Sequence, residues 1–196
     1  MKYGAKGAYW APFSGDEPTD AMPTYGTAVE FGGINESAET LNFASASAYA
    51  DNQKKLQLQE FSDGEVVAKA LYQEIELQAA ILGTATDSDG GQAFSGDDNQ
   101  PYGGYGFYAN KIDSSKNKYY EVVFYPKVQG SPEGTTYKTK EDGITLEYDS
   151  IKFLIYQCNY GKYKITKQFS TEAEAVSYLA ALFAGTATIP GDSAEE

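Results

Sequence analysis

Residues 103–128 read GGYGFYANKIDSSKNKYYEVVFYPKV, and this stretch decides the fold. Two runs rich in Tyr, Phe and Val, at 103–112 and 118–128, flank the polar segment 113–117. Aromatic and β-branched residues favour strands, and a polar segment between two such runs is typical of a turn. The stretch therefore predicts an antiparallel hairpin.

The segments on either side continue the β pattern. The clearest alternation falls in 143–157, where one apolar set is followed by a second that shares a face: Ile144, Leu146, Tyr148, then Ile151, Phe153, Ile155. Shorter apolar runs predict further strands at 6–13, 26–34 (with a glycine break), 64–71 and 163–168. The proline-containing segment 14–25 and the Asp-, Gly- and Ser-rich segment 84–102 are predicted to be loops.

Two segments have helical spacing instead. In the first, apolar residues repeat at helical spacing and the pattern ends at Gly83: Leu71, Ile75, Ala79, Leu82. We place this helix at about 73–82. The second begins at Thr171, where Glu174 completes a capping-box pattern, and it ends at Gly185. Its predicted apolar face comprises Val176, Leu179, Ala180 and Phe183.

Together these elements predict a mainly β (α+β) protein. Many strands with two helices and no regular βαβ alternation favour an antiparallel β-sandwich or barrel with one or two flanking helices. We expect a single domain over residues 1–185, followed by a flexible acidic tail at 186–196. Residues 35–62 have weak periodicity and are predicted to be an extended loop or a loose hairpin, which is long enough to be functional.

The composition argues against an enzyme. All 15 basic residues are Lys, and the chain has no Arg, no His and a single Cys. Without His, the commonest general base near neutral pH is missing, and neither a Ser-His-Asp nor a Cys-His arrangement can be built. The lone Cys158 lies in an apolar run and is predicted to be a buried structural thiol. We therefore expect no catalytic, cofactor-binding or metal-binding residues.

The formal net charge of −13 argues against tight nucleic-acid binding, because DNA affinity depends on cationic side chains that replace counterions. Acidity of this kind also simply keeps a protein soluble. The first residues lack an apolar signal region, and no apolar run approaches the ~18 residues that span a bilayer. We expect a soluble protein made in a reducing cytoplasm, without membrane partners.

Four local patterns have both a functional and a structural interpretation. The acidic segments 87–91 and 96–99 resemble fragments of calcium loops, but the full spacing is absent and solvated turns are favoured. The glycine-rich segment 101–106 leads into a strand, not a helix, which favours a close-packed turn over a phosphate loop. Two carboxylate pairs suit helix starts: Glu172 with Glu174, and Glu74 with Glu76. Six tyrosines of the predicted hairpin form a belt, either a carbohydrate or subunit surface or internal cross-strand pairs: Tyr102, Tyr105, Tyr108, Tyr119, Tyr120, Tyr125.

A series of short motifs, in order, resembles one known family. They are 2–6 (KYGAK), 9–13 (YWAPF), 23–26 (PTYG), 48–52 (AYADN), 81–83 (ILG), 97–104 (DDNQPYGG), 124–128 (FYPKV) and 171–175 (TEAEA). Their order and spacing over residues 2–184 resemble the major tail proteins (tail tube proteins) of long-tailed, non-contractile bacteriophages of Gram-positive hosts.

This resemblance implies a structural virion protein of the phage tail, assembled in the host cytoplasm. Tail tube proteins fold as a β-sandwich or barrel flanked by a helix. Six copies form a ring, and the rings stack around a tape-measure protein. DNA leaves through the lumen without specific binding, and tail terminator and baseplate proteins are the further partners. From the long irregular stretch we hypothesise that residues 40–60, including Lys54 and Lys55, contact an adjacent ring.

Three alternatives stay open at this point. The chain could be another virion component, such as a contractile-tail inner tube or a head decoration protein. It could be a carbohydrate-binding β-sandwich that uses the tyrosine belt, although the absent secretory signal disfavours this. A carboxylate-dependent hydrolase is the third alternative, and nothing in the sequence favours it.

Overall fold

The computed structural model describes residues 1–51, 53–134 and 147–192. Its elements are, in chain order, β1 (Lys2–Pro12), β2 (Val29–Glu30), β3 (Gly32–Ala50), β4 (Gln53–Tyr72), α1 (Ile75–Leu82), β5 (Ala85–Thr86), β6 (Gln92–Ala93), β7 (Tyr102–Ile112), β8 (Lys118–Ser131), β9 (Asp149–Tyr156), β10 (Ile165–Phe169) and α2 (Glu172–Phe183). The predicted mainly β fold with two helices is confirmed.

Eight strands form one antiparallel sheet in the order β2-β1-β7-β8-β9-β4-β3. The eighth strand, β10, pairs with β8 over 120–124, while β9 pairs with the same strand over 127–131. Strand β8 therefore has β7 along one edge and divides its other edge between two strands. The short strands β5 and β6 form a separate ribbon.

The sheet curls until its two edge strands nearly meet. Strands β2 and β3 follow one another in the chain, separated only by Phe31, yet β2 pairs with β1 and β3 pairs with β4. The Phe31 amide donates to the carbonyl of Ala8 at 2.9 Å, and the Phe31 side chain is buried. The ladder is not continuous here, so within the described residues the curled sheet is not a closed barrel.

The curled sheet separates two apolar cores. The inner core lies on the concave side and includes Trp10, Tyr105 and Phe153, all buried, with Leu77 and Ile81 of α1 packed against it. The outer core lies between the other face of the sheet and α2, around Phe124 and Leu179. Successive side chains of a strand point to opposite faces, so each strand contributes alternate residues to the two cores. In β8, for example, Val122 and Phe124 face the outer core while Val123 and Tyr125 face the inner one.

The central hairpin and its turn match the sequence prediction closely. Strands β7 and β8 pair from Ile112↔Lys118 to Tyr102↔Gln129. In the turn, Oδ1 of Asp113 accepts from the Asn117 amide at 2.8 Å. The predicted shared face of β9 is also confirmed, since its three alternating residues are buried: Ile151, Phe153, Ile155. The first part of the predicted segment 143–157 lies partly outside the described residues.

Helix α1 ends as predicted but exposes part of its predicted face. Gly83 has a φ of 68°, and a Cβ there would lie 2.1 Å from the carbonyl oxygen of Asn99, so only glycine fits. The helix buries Leu77, Ala79, Ile81 and Leu82. Leu71 and Ile75, predicted to be part of the buried face, are exposed, so that prediction was wrong. The helix starts only at Ile75, which puts Leu71 in β4 and removes it from the helical repeat.

Helix α2 has the predicted capping box. The Thr171 hydroxyl accepts from the Glu174 amide at 3.3 Å, and Glu174 Oε2 accepts from the Thr171 amide at 3.1 Å. Leu179 and Phe183 are buried as predicted, whereas Val176 and Ala180 are exposed. Ala175, Tyr178 and Leu182 are buried instead, because the outer core meets the helix on a face rotated from the predicted one.

Replacing Thr171 with alanine is expected to lower the free energy of unfolding by about 1 kcal/mol. The substitution removes the acceptor for the Glu174 amide and leaves a helix end with one more unsatisfied donor. Urea unfolding of Thr171→Ala beside Ser170→Ala, which lies one position outside the cap, would measure the difference. Equal midpoints for the two variants would contradict the assigned cap.

Three further segments differ from the sequence prediction. The break in 26–34 falls at Phe31 and not at the glycines, because Gly32 already pairs with Tyr72. Residues 35–50 and 53–62 pair as the two strands of a long hairpin, with register shifts after Asn42 and after Ala48, and do not form an extended loop. In the stretch expected to be a flexible tail, Ile189 is buried, the Tyr178 hydroxyl of α2 donates to the Thr188 carbonyl at 3.0 Å, and Asp192 pairs with Lys162 at 3.6 Å.

Candidate assembly surface

The most unusual surface of the molecule is the outer half of the β3–β4 hairpin. Strand β9 pairs with β4 only over Gly64↔Ile155 to Ala70↔Asp149. Beyond that point, residues 42–50 and 53–62 continue as a two-stranded ribbon with no third strand among the described residues; we call the segment 42–62 the arm. At about 3.4 Å per residue it extends roughly 30 Å from the sheet.

The arm has two chemically different faces. Residues that pair directly across the strands share a face, so Ala46 with Leu58 and Ala48 with Leu56 form an apolar face. The opposite face carries Ser45, Ser47, Gln57 and Gln59. Leu56 and Leu58 are each more than half exposed. An apolar face of this kind normally packs on another layer, which the arm lacks within the described chain.

The base of the arm is anchored by three aromatic rings. Phe61 stacks on Tyr163 with ring centroids 4.1 Å apart and an interplanar angle of 4°. Phe43 meets Phe61 edge-on at 6.0 Å. These contacts fix the direction in which the arm leaves the sheet, because Tyr163 belongs to the segment just before β10. The outer part of the arm has no comparable anchor among the described residues.

The arm differs in formal charge from the rest of the chain, which we call the body. The arm contains two lysines, Lys54 and Lys55, and two acidic residues, Asp51 and Glu60, so its formal charge is zero. The net charge of −13 therefore lies entirely on the rest of the chain. Lys54 donates to Gln57 at 2.7 Å and Lys55 donates to Gln53 at 3.3 Å, both within the arm.

The predicted tyrosine belt does not form one surface. Tyr105, Tyr108 and Tyr125 are buried, and only Tyr102 is clearly exposed. Tyr105 stacks between Tyr125 and Phe153 in the inner core, with centroids 6.1 Å and 4.9 Å away. Cross-strand pairing within the fold, one of the two readings of these residues, holds for Tyr105 and Tyr125, which lie opposite each other. A carbohydrate platform built on all six is excluded by this burial.

The other sequence patterns occupy structural positions. Asp87 Oδ1 accepts from the amides of Asp89 and Gly91 at 2.9 and 2.7 Å, which is turn geometry. A Cβ on Gly103 would lie 2.4 Å from the Ala11 carbonyl, so the glycine-rich segment permits close strand approach. Within residues 1–51, 53–134 and 147–192, no three acidic or sulfur side chains converge as a metal site.

The helix-start carboxylates are also placed as predicted. Glu172 accepts from Lys6 at 3.1 Å and from the Tyr108 hydroxyl at 2.8 Å. The Tyr108 hydrogen bond, helped by Lys6, lowers the pKa of Glu172 below its usual value. Glu74 and Glu76 are exposed at the start of α1.

A cavity of about 470 Å³ opens between β1 and β3. Lys164 pairs with Glu39 in its wall, and Lys111 pairs with Glu121. The Tyr125 hydroxyl donates to Glu39 at 2.8 Å. Burial first, and Glu39 second, raise the pKa of Tyr125 above its ordinary value, so the phenol stays a donor. The polar groups described here neutralise one another and form a structural network.

The fold and the arm define a mainly β protein with an exposed, neutral, half-apolar ribbon on an acidic body. No protein-family model and no curated protein matches the chain. Among the described residues no helix is long and apolar enough to cross a bilayer. The family expectation from the sequence therefore stays a prediction.

Proposed function

We propose that this protein is a self-assembling structural subunit, the tail tube protein of a long-tailed, non-contractile bacteriophage. Copies form rings, six to a ring by the family resemblance, and the rings stack into a tube. The observation that carries the proposal is the arm. A two-stranded ribbon is marginally stable alone in water, so an arm with an exposed apolar face and unpaired edges favours a partner surface.

The charge distribution supports the same function. A tube that conducts DNA must not grip it, and an acidic wall without Arg repels phosphates. The neutral arm meets no such repulsion when it approaches the acidic body of another copy. The tape-measure, tail terminator and baseplate proteins are the further partners in this proposal, with the virion tail as the location and no catalytic role.

Deleting the outer arm is expected to abolish stacking while the body stays folded. The variant removes residues 44–60 and joins Phe43 to Phe61 through an Asn-Gly turn, which keeps the aromatic anchor and suits a two-residue hairpin. Negative-stain microscopy of the wild-type protein should show rings or tubes with a central hole, and the deletion variant should show no tubes. Wild-type protein that stays monomeric at high concentration, even with its tail partners, would sink the proposal.

A point-variant pair separates the apolar face from the arm as a whole. Leu56→Ser with Leu58→Ser removes the apolar face, whereas Gln57→Ser with Gln59→Ser alters the same strand on the opposite face. The leucine variant should lose most assembly in sedimentation velocity, and the glutamine variant should keep it. Tubes of unchanged length from the leucine variant would contradict the role of this face.

A further inference from the structure

A second set of exposed apolar side chains lies at the other end of strand β4. Leu71 and Tyr72 end the strand and are 60% and 54% exposed. Ile75 begins α1 and is 38% exposed, and Tyr148, which precedes β9, is 46% exposed. We call these four residues the far-end patch. Exposed apolar residues are normal singly. Here the register Ala70↔Asp149 sets Tyr148 next to Leu71, while Tyr72 points to the other face of the strand, so the patch wraps around the end of the sheet.

The far-end patch is held on paired strands. Gly32 pairs with Tyr72, and a Cβ on Gly32 would lie 2.7 Å from the Tyr72 ring, so the glycine makes room for it. The Gln73 amide donates to Asp149 Oδ2 at 2.9 Å, which ties the end of β4 to the start of β9. The patch is therefore presented by the end of the main sheet, in contrast to the unsupported arm.

The charges at the two ends are complementary. Glu74 and Glu76 are exposed beside the far-end patch, at the start of α1. Lys54 and Lys55 are exposed beside Leu56 on the arm. Each end thus combines apolar side chains with a pair of like charges, and the charges differ in sign. Complementary charges steer association and fix its register.

The two surfaces cannot meet within one chain. Strand β4 runs without a break from Gln53 to Tyr72, and its 20 residues span roughly 60 Å at about 3.3 Å per residue. The arm of one copy can reach only the far-end patch of another. A contact between two different surfaces is heterologous, and repeated along one direction it builds an open stack and not a closed pair.

We propose that the arm of one copy docks on the far-end patch of a second copy. The apolar face with Leu56 and Leu58 covers the patch, and Lys54 and Lys55 lie beside Glu74 and Glu76. This assignment rests on the proposed self-assembling function and names the surface that receives the arm.

Charge reversal tests the pairing. The arm variant is Lys54→Glu with Lys55→Glu, and the patch variant is Glu74→Lys with Glu76→Lys. Each is expected to weaken association at least tenfold in sedimentation equilibrium, and both together in one chain are expected to restore it. The control combines the patch variant with Lys116→Glu and Lys118→Glu, at two exposed lysines elsewhere on the surface, so that the net charge returns to its wild-type value. Association should remain lost in this control.

Mixing the two single-end variants tests the same pairing between different chains. In the mixture, the lysine arm of the patch variant meets the acidic patch of the arm variant, and the glutamate arm of the arm variant meets the lysine patch of the patch variant, so both contacts should return. The mixture should form stacks in which the two variants alternate, whereas each variant alone should stay dissociated. No recovery of stacks in the mixture, or no recovery when both reversals share one chain, would overturn the pairing. A strictly monomeric wild type would end both proposals, whereas loss of assembly in the arm variant alone would end only the far-end assignment.

Discussion

Replacing Phe153 with alanine is expected to lower the free energy of unfolding by about 3–5 kcal/mol. Phe153 is fully buried at the centre of the inner core. Its ring stacks on Tyr105 at 4.9 Å and meets Phe31 edge-on at 6.3 Å. Removing the ring loses its transfer free energy and leaves a cavity, because paired strands on both sides prevent collapse.

Guanidinium unfolding, followed by Trp10 fluorescence, measures this loss. Trp10 is the only tryptophan and is buried in the same core, so its emission reports the transition. Phe94→Ala is the matched control, since Phe94 is 61% exposed and its loss is expected to cost less than about 0.5 kcal/mol. A Phe153→Ala variant within about 1 kcal/mol of wild type would contradict the described core.

Replacing Glu17 with alanine is expected to cost about 3 kcal/mol, the second largest effect. Glu17 Oε2 accepts from Lys127 at 2.6 Å, and Oε1 accepts from the Asn159 amide at 2.6 Å. The side chains of Glu17 and Lys127 are only 12% and 15% exposed. In the variant, the mostly buried ammonium of Lys127 loses its carboxylate partner. The loop before β2 also loses this contact with strand β8.

A matched control is available on the surface. Glu36 pairs with Lys69 at the same 2.6 Å, but both side chains are more than 40% exposed, so Glu36→Ala is expected to cost less than about 1 kcal/mol. Adding Lys127→Met to Glu17→Ala should recover part of the lost stability, because the stranded charge is then gone. Urea unfolding of the four proteins gives the comparison, and equal losses for Glu17→Ala and Glu36→Ala would refute the buried pair.

Local patterns predicted the parts of the fold that local physics determines. The β7–β8 hairpin, the buried face of β9 and the Thr171 cap all follow from neighbouring residues. The division of β8 between β9 and β10 does not, because it depends on pairing between segments far apart in the chain. The buried faces of the two helices were predicted wrongly for a related reason. Val176 and Ile75 are apolar, but each helix packs on the sheet through a different side.

The candidate surface was only partly visible in the sequence. The sequence predicts that residues 40–60 are a contact segment, but the weak periodicity of 35–62 does not indicate the long two-stranded ribbon. The alternation of Ala and Ser over 44–48, opposite Leu56 and Leu58, was the available signal for a one-sided apolar face. The sequence does not indicate the far-end patch, because Leu71 and Ile75 fit a helical repeat that predicts a buried face.

The pairing of β1 with β7 also sets the order in which a new chain becomes complete. Lys2 lies opposite Lys111, so the first strand leaves the ribosome more than a hundred residues before its partner. At about 5–20 residues per second, this wait lasts roughly 5–20 s. Helix α2, which covers the outer core, follows β10 in the chain. The arm is therefore synthesised before the strands and the helix that complete the two cores.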